Sequence, residues 1–514
     1  MRTASIRRRR SSSGRPALLM GVGILAPSLG VVAMALPAAP RPPAAPPGDG
    51  PAQHFVVLGS SLDAARAAVA AAGGRVVAPL PVVRGVDAQL SPAAARSLAA
   101  AGRFEVTPDV AMKALGSSYG SGRSGTATPG PDQPAQLARM HLGGLWSPTA
   151  GSGVGVAVID TGVDPTPGLD AGRLVRSPDF SGGRDRFDGY GHGTFMAGLI
   201  AGNGIGGPGA VAGVAPGVTL VSVKVARSDG STTIARLIEG IGWAVSHRSR
   251  YDIRVMSISF GAQLPVPAWA DPLDAAVEAA WASGITVVAA AGNEGESQVT
   301  APGDDPWVIT AGAETTSGAY SSPTWSGSSP TKPDVLAPGV SVESLRAPGS
   351  VIDRAYPQAR RGGLYFVGSG TSMATALAAG AAAILIEHHP DATPDDVKAA
   401  LTSTEGAPLS GPAGQLDVAA ADQATPSPAW WQKHPVVTGV PSSQAQVMPW
   451  ATGTWTDSTW DNTTGPVSWA AITWPDQGWA DMQWTGTPWT TMHWATMHWA
   501  DTSWATMHWA GEGW

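Results

Sequence analysis

The run Gly153-Val-Gly-Val-Ala-Val-Ile-Asp160-Thr-Gly-Val-Asp164 constrains the fold more than any other stretch of the chain. Apolar residues that follow one another without polar alternation fit a strand buried on both faces, and such strands belong to parallel sheets covered by helices. The run ends in an acid. In open α/β sheets the carboxyl ends of the strands are where ligand chemistry is assembled, although an aspartate before Thr-Gly also reads as a plain turn former. The chain has the means to build such a core: 514 residues, 43% hydrophobic and only 14% charged. Its 65 glycines and 45 prolines point to turn-rich flanks around a globular middle. The absence of cysteine excludes disulfides, thiolate metal sites and a cysteine nucleophile. A net charge of -7 is mild for this length and gives no basis for a nucleic-acid partner.

The N-terminus reads as an export leader. Arg7 to Arg10 precede a mostly apolar stretch from Ala17 to Leu36, with small residues Ala33 and Ala35 placed for a signal peptidase. This predicts a signal peptide over 1–36 and a secreted or cell-surface protein; an uncleaved membrane anchor is the alternative, weakened by Pro27. Residues 37–53 are a Pro/Ala-rich spacer. From His54 the pattern changes to strand (Phe55 to Leu58), helix (Ser61 to Ala72), strand (Arg75 to Ala78), strand (Val86 to Leu90), helix (Ser91 to Ala101) and strand (Phe104 to Thr107). That β-α-β-β-α-β order predicts a small ferredoxin-like α+β domain over 54–112. Residues 113–133, rich in Gly, Ser, Thr and Pro, read as an exposed linker open to proteolysis.

Three further motifs accompany Asp160. Gly189-Tyr-Gly-His192-Gly-Thr places a histidine at the start of an Ala/Gly-rich helix. Ile285-Thr-Val-Val-Ala-Ala-Ala is a strand that ends in Gly292-Asn293, an amide at a strand terminus. Gly368-Ser-Gly-Thr371-Ser372 sets a serine at a glycine-rich turn before a long apolar helix, whose N-terminal dipole and free N–H groups favour a growing oxyanion. Taken singly, the aspartate reads as a turn former, the histidine as structural or solvated, and the threonine before Ser372 as a helix cap. Together, in the order Asp, His, Asn, Ser, they resemble the subtilisin-like serine protease family across residues 134–424.

The resemblance implies an α/β fold: a doubly wound, mostly parallel sheet flanked by helices. It implies Asp160, His192 and Ser372 as the catalytic triad of a serine endopeptidase and Asn293 as oxyanion donor. Ser259, Phe260 and Gly261 would be the substrate-binding strand, and Ala290, Ala291 and Gly292 the opposite wall of the specificity pocket. Polypeptides are the implied substrates and no cofactor is needed for the chemistry, with structural Ca2+ a family-level expectation to which no residues are assigned. Residues 54–112 are similar to the family's inhibitory propeptide, which implies an intramolecular inhibitor, a zymogen, and maturation in the linker or slightly upstream. Phe195 and Ala376 depart from the family pattern, where a second histidine and a proline are usual.

Fifteen of the 21 tryptophans lie from Trp430 onward, and from Trp469 to Trp514 they recur every fifth residue. Residues 425–514 thus form a Trp-rich pentad-repeat tail. A coil advancing once per five residues and a disordered segment both fit the spacing. Evenly spaced indoles suit stacking on sugar rings, so contact with a cell wall or other carbohydrate is one expectation. Three Met-His-Trp copies admit Cu(I) as another, with simple repeat expansion as the plainer account. A surface-binding Trp-repeat protein with a vestigial protease core is the competing reading of the whole chain.

Overall fold

The computed structural model describes residues 50–115, 118–119, 135–183, 187–205, 211–263, 271–295, 298–316, 320–403, 413–424, 454–456 and 459–461. The leader, nearly all of the spacer, most of the linker and most of the tail lie outside the described residues.

The first folded unit runs β1 (Gln53–Leu58), α1 (Leu62–Ala71), β2 (Arg75–Leu80), β3 (Gly85–Leu90), α2 (Pro92–Ala100) and β4 (Glu105–Pro108). Its antiparallel sheet has the order β2-β3-β1-β4, the ferredoxin-like arrangement read from the sequence. Both helices start on a serine. The Oγ atoms of Ser61 and Ser91 accept from the N–H groups of Ala64 (3.1 Å) and Ala94 (3.2 Å), satisfying donors that a helix start leaves open. Phe55, Val57, Val69, Val86 and Leu90 form a separate small core.

Two short strands follow, β5 (Ala111–Ala114) and β6 (Ser118–Tyr119), and then a one-turn helix α3 (Ala135–Ala138). β5 crosses the expected limit between domain and linker, because its backbone is taken up by another sheet, as described below.

The large unit contains β7 (Gly155–Asp160), β8 (Leu174–Arg176), α4 (His192–Ala201), β9 (Thr219–Lys224), β10 (Ser231–Thr233), α5 (Ile234–Ser246), β11 (Ile253–Ile258) and β12 (Phe260–Gly261). It continues with α6 (Pro272–Ala282), β13 (Thr286–Ala290), β14 (Ile309–Thr315), β15 (Val335–Val340), β16 (Val342–Leu345), α7 (Val351–Ala355), β17 (Arg360–Arg361) and β18 (Tyr365–Ser369). It closes with α8 (Thr371–His388), α9 (Pro394–Ser403) and α10 (Val418–Gln423).

Seven strands pair in parallel in the order β15-β14-β13-β11-β7-β9-β8. Every residue of β7 is buried, as its unbroken apolar run requires. α8 lies against β7, β11, β13, β14 and β15 and beside α4, while α5 and α6 pack on each other and against β7, β9 and β13.

In the tail, β19 (Thr454–Thr456) and β20 (Thr459–Asp461) pair antiparallel with Trp455 opposite Trp460. The run from Trp469 to Trp514, on which the coil and the disordered segment are the two expectations, lies outside the described residues.

Two charged clusters are sealed inside the large unit. The Lys398 ammonium of α9 donates to the carbonyls of Pro306 (2.8 Å) and Val308 (2.8 Å) and lies 3.2 Å from Asp334 Oδ1. Burial pulls this ammonium down to about 7. Nearby, Asp274 and Glu278 sit one turn apart on α6, almost completely buried, and none of their carboxylate oxygens has a hydrogen-bond partner. Burial, then the charge of Asp305, holds the Glu278 carboxyl well above the usual range. A carboxyl whose folded pKa is raised contributes stability below its unfolded pKa and loses it as pH rises through the folded value. Glu278→Gln is therefore expected to raise the melting temperature at pH 8 and to leave it nearly unchanged at pH 4. Thermal unfolding of both proteins across that range checks the sign.

Candidate active site

The four motifs come from separate elements and meet at one end of the parallel sheet. Asp160 is the last residue of β7, His192 the first of α4, Asn293 follows β13 by three residues, and Ser372 is the second residue of α8. His192 Nδ1 lies 2.8 Å from Asp160 Oδ1 and 3.0 Å from Oδ2, with both side chains buried. Asp160 Oδ1 also accepts from the Thr161 N–H at 2.7 Å. The approach of α4 to β7 depends on Gly193, where a Cβ would overlap the Gly162 carbonyl oxygen and stand 3.1 Å from Asp160 Oδ1.

The start of α4 is held by Asp188, a residue the sequence reading did not single out. Gly191, at the N-cap of α4, has no side chain to offer, and Asp188 takes the role instead: it accepts from Gly191 N (2.7 Å) and Thr194 N (2.7 Å). It also accepts from the Thr161 hydroxyl at 2.7 Å, and Thr161 Oγ1 in turn accepts from Gly193 N at 2.9 Å. Burial pushes the Asp188 carboxyl upward while these donors oppose it. An acid four residues before a helix start was the one available signal. Asp164 has a turn role beside it, accepting from Asp188 N at 3.1 Å.

Ser372 Oγ donates to the carbonyl oxygen of Leu115 at 2.8 Å, and Asn293 Nδ2 donates to the same oxygen at 2.6 Å. Thr371 orients the amide: its N–H donates to Asn293 Oδ1 at 3.0 Å and its Oγ1 lies 3.1 Å from that oxygen. His192 Nε2 is buried without a hydrogen-bond partner, so in this state Ser372 is engaged with Leu115 rather than with the imidazole.

Leu115 arrives there because β5 is the middle strand of an antiparallel sheet ordered β10-β5-β12. Lys113 pairs with both Ser231 and Gly261, Met112 with Thr232, and Ala114 with Phe260. Leu115 N donates to Ser259 O at 3.1 Å. Ser259, Phe260 and Gly261 thus hold an extended segment of the chain itself. Ala290, Ala291 and Gly292 lie across from them, with the Thr300 N–H donating to Ala291 O at 3.1 Å. A Cβ on Gly292 would meet Thr300 Oγ1 at 3.0 Å, and one on Gly261 would meet Leu115 Cδ1 at 2.9 Å. Phe195 and Ala376, the two departures from the family pattern, are both buried in the main core.

Among the described residues, one group of metal-binding type, His54, Asp87 and Asp109, brings its ligand atoms within 4.8 Å of one another. His54 and Asp87 already pair at 3.0 Å, and a set containing imidazole does not fit calcium, which takes six to eight oxygen ligands.

The sequence profile of the Subtilase family matches residues 151–429, more than half of the chain. The chain belongs to the subtilase family. It is 42% identical over 266 residues to serine protease AprX of Bacillus subtilis (strain 168), covering 48% of this chain and 60% of that protein. To subtilisin E of the same organism it is 40% identical over 261 residues, covering 49% of this chain and 61% of the relative. Subtilisin of Bacillus pumilus is 39% identical over 261 residues, which cover 84% of it. The chain thus spans about 60% of the length of AprX and subtilisin E. Fervidolysin from Fervidobacterium pennivorans, a keratinolytic enzyme related to subtilisin, superposes with a TM-score of 0.59 at 23% identity, over 75% of this chain and 63% of that one. The large unit accordingly has the subtilisin-like fold, its parallel sheet flanked by helices.

Asp188→Ala would strand the N–H groups of Gly191 and Thr194 beneath the surface. A buried donor left unsatisfied costs about 1–3 kcal/mol. Urea unfolding of the variant is expected to show a loss of that order.

Proposed function

We propose that this subtilase is a serine endopeptidase made as an exported, self-inhibited precursor. The observation that carries the reading is the convergence of Ser372 Oγ and Asn293 Nδ2 on one peptide carbonyl oxygen, with the buried His192–Asp160 pair on the same end of the sheet. Ser372 Oγ attacks the carbonyl carbon of a bound peptide, and His192 Nε2 takes the hydroxyl proton. Asp160 holds the imidazole through Nδ1 and stabilises its charged form. Asn293 donates to the oxygen as it becomes an oxyanion. The proton then passes to the leaving amine, giving an acyl-enzyme on Ser372 that water hydrolyses.

In this reading residues 54–112 are the inhibitory propeptide domain and 134–424 the peptidase domain. Support comes from β5, which runs from the small domain into the substrate strand sites between β10 and β12. Extended substrates bind the same edges by main-chain pairing. Chemistry of this kind requires no cofactor. The leader over 1–36 would send the protein out of the cell, and the indoles of the tail would meet carbohydrate there.

Ser372→Ala is expected to fold, to keep the small domain over 54–112 attached as an unprocessed precursor and to have no caseinolytic activity, checked by electrophoresis and casein hydrolysis beside the unmodified chain. A Ser372→Ala protein that still digests casein would refute the assignment.

A further inference from the structure

Resting on the serine endopeptidase reading above, we propose that Asp353 is a positioning residue for the reaction. It knots the segment from Arg346 to Arg361 into a strap that ties the His192 loop to the strand leading into Ser372, and so sets the spacing of base and nucleophile.

His192 and Ser372 sit on different helices, α4 and α8, and share no hydrogen bond in this state: His192 Nε2 has no partner and Ser372 Oγ donates to Leu115. Their spacing is therefore set by what surrounds them. The strap leaves β16 after Leu345 and returns as β17, whose Arg360 and Arg361 pair antiparallel with Phe366 and Tyr365 of β18. β18 ends at Ser369, three residues before Ser372. Between these ends the strap turns through α7 and reaches the other helix. Val351 N donates to the Gly189 carbonyl at 2.9 Å, and Ile352 N to that of Tyr190 at 3.0 Å. Gly191, the N-cap of α4, has φ at +105°, and a Cβ there would overlap Ser350 Oγ, so the strap packs directly on the residue that precedes His192. Asp188 takes the Gly191 N–H, and the strap takes the two carbonyls before it.

Asp353 closes this strap on itself. Almost completely buried, it accepts from Nε and Nη2 of Arg346 at 2.5 and 3.0 Å, from Arg360 Nε at 2.8 Å and from Gly349 N at 2.8 Å. Arg346 opens the strap and Arg360 stands near its end, so one carboxylate joins both. Arg360 Nη2 also donates to the Asp353 carbonyl at 2.9 Å, and Ser350 Oγ accepts from Asp353 N at 3.2 Å. A forked contact between guanidinium and carboxylate fixes direction as well as distance. Burial would raise the Asp353 carboxyl, but the hydrogen bonds from Arg346, the Gly349 N–H and Arg360 outweigh it and hold the group well below the usual carboxylate range. The knot therefore stays charged and closed across the neutral range.

The test measures peptide hydrolysis by the full chain and by its Asp353→Asn and Arg360→Ala variants, well below the melting temperature of each. Asp353→Asn should lower kcat by roughly ten- to a hundredfold, the scale of a misplacement of about 1 Å between reacting groups. KM should stay nearly unchanged, because β10 and β12, the edges that hold an extended substrate, belong to another sheet. Arg360→Ala keeps the forked Arg346 contact and should show the same split with a smaller fall; it carries the test if Asp353→Asn does not fold. In the Ser372→Ala background, where nothing is digested, the downfield proton resonance of His192 Nδ1–H on Asp160 should be sharp, and the added Asp353→Asn change should broaden or abolish it. A lower melting temperature with kcat unchanged would make Asp353 a structural residue only and overturn the proposal. So would a rise in KM that accounts for the lost activity, or a resonance that keeps its shape. A full chain without Ser372-dependent hydrolysis would refute the endopeptidase reading, and the resonance would still decide whether the knot holds the imidazole.

Discussion

Strand β7 has no solvent face, and much of the large unit follows from that. A strand sealed on both sides needs parallel neighbours to satisfy its backbone and helices to cover it. Parallel neighbours need crossover connections, and these return each strand in the same direction. The carboxyl ends of β7 and β13 therefore fall at the same end of the sheet as the N-termini of α4 and α8. Asp160, Asn293, His192 and Ser372, separated by up to some two hundred residues of sequence, become neighbours as a consequence of sheet burial rather than of any local interaction.

The same logic explains what was legible in the sequence. The apolar run of β7, the glycine-framed His192, the strand end before Asn293 and the turn before Ser372 are local patterns, and each maps onto the element it predicted. The serine caps of α1 and α2 were equally readable because a cap is decided within three residues. The expected strand Ser259 to Gly261 does hold an extended segment, although the identity of that segment was out of reach.

What escaped reading depends on distant partners. Leu115 and Ser372 are 257 positions apart, and nothing in Ala-Leu-Gly-Ser marks one carbonyl as the one that reaches the nucleophile. Asp188 looks like another polar loop residue in a stretch that also holds Asp185, and its capping role exists only once Gly191 has left the helix start without a side chain. Thr300 precedes Ala-Pro-Gly as an unremarkable polar residue; only the packing of Gly261 and Gly292 gives it a place. Glu278 and Lys398 have the composition of solvated helix faces, yet both are sealed inside, because the adjoining segments close over them.

Lys398 has a consequence for how this region meets its surroundings. Oxygens from Pro306, Val308 and Asp334 surround a positive charge that is covalently part of α9. An ion drawn from solvent occupies such a nest according to its concentration, and dilution or a chelator removes it. A tethered ammonium obeys no such mass action. Its local concentration is fixed by the fold, so neither dilution nor a chelator can strip this corner of the molecule of its amine, and only a rise in pH discharges it.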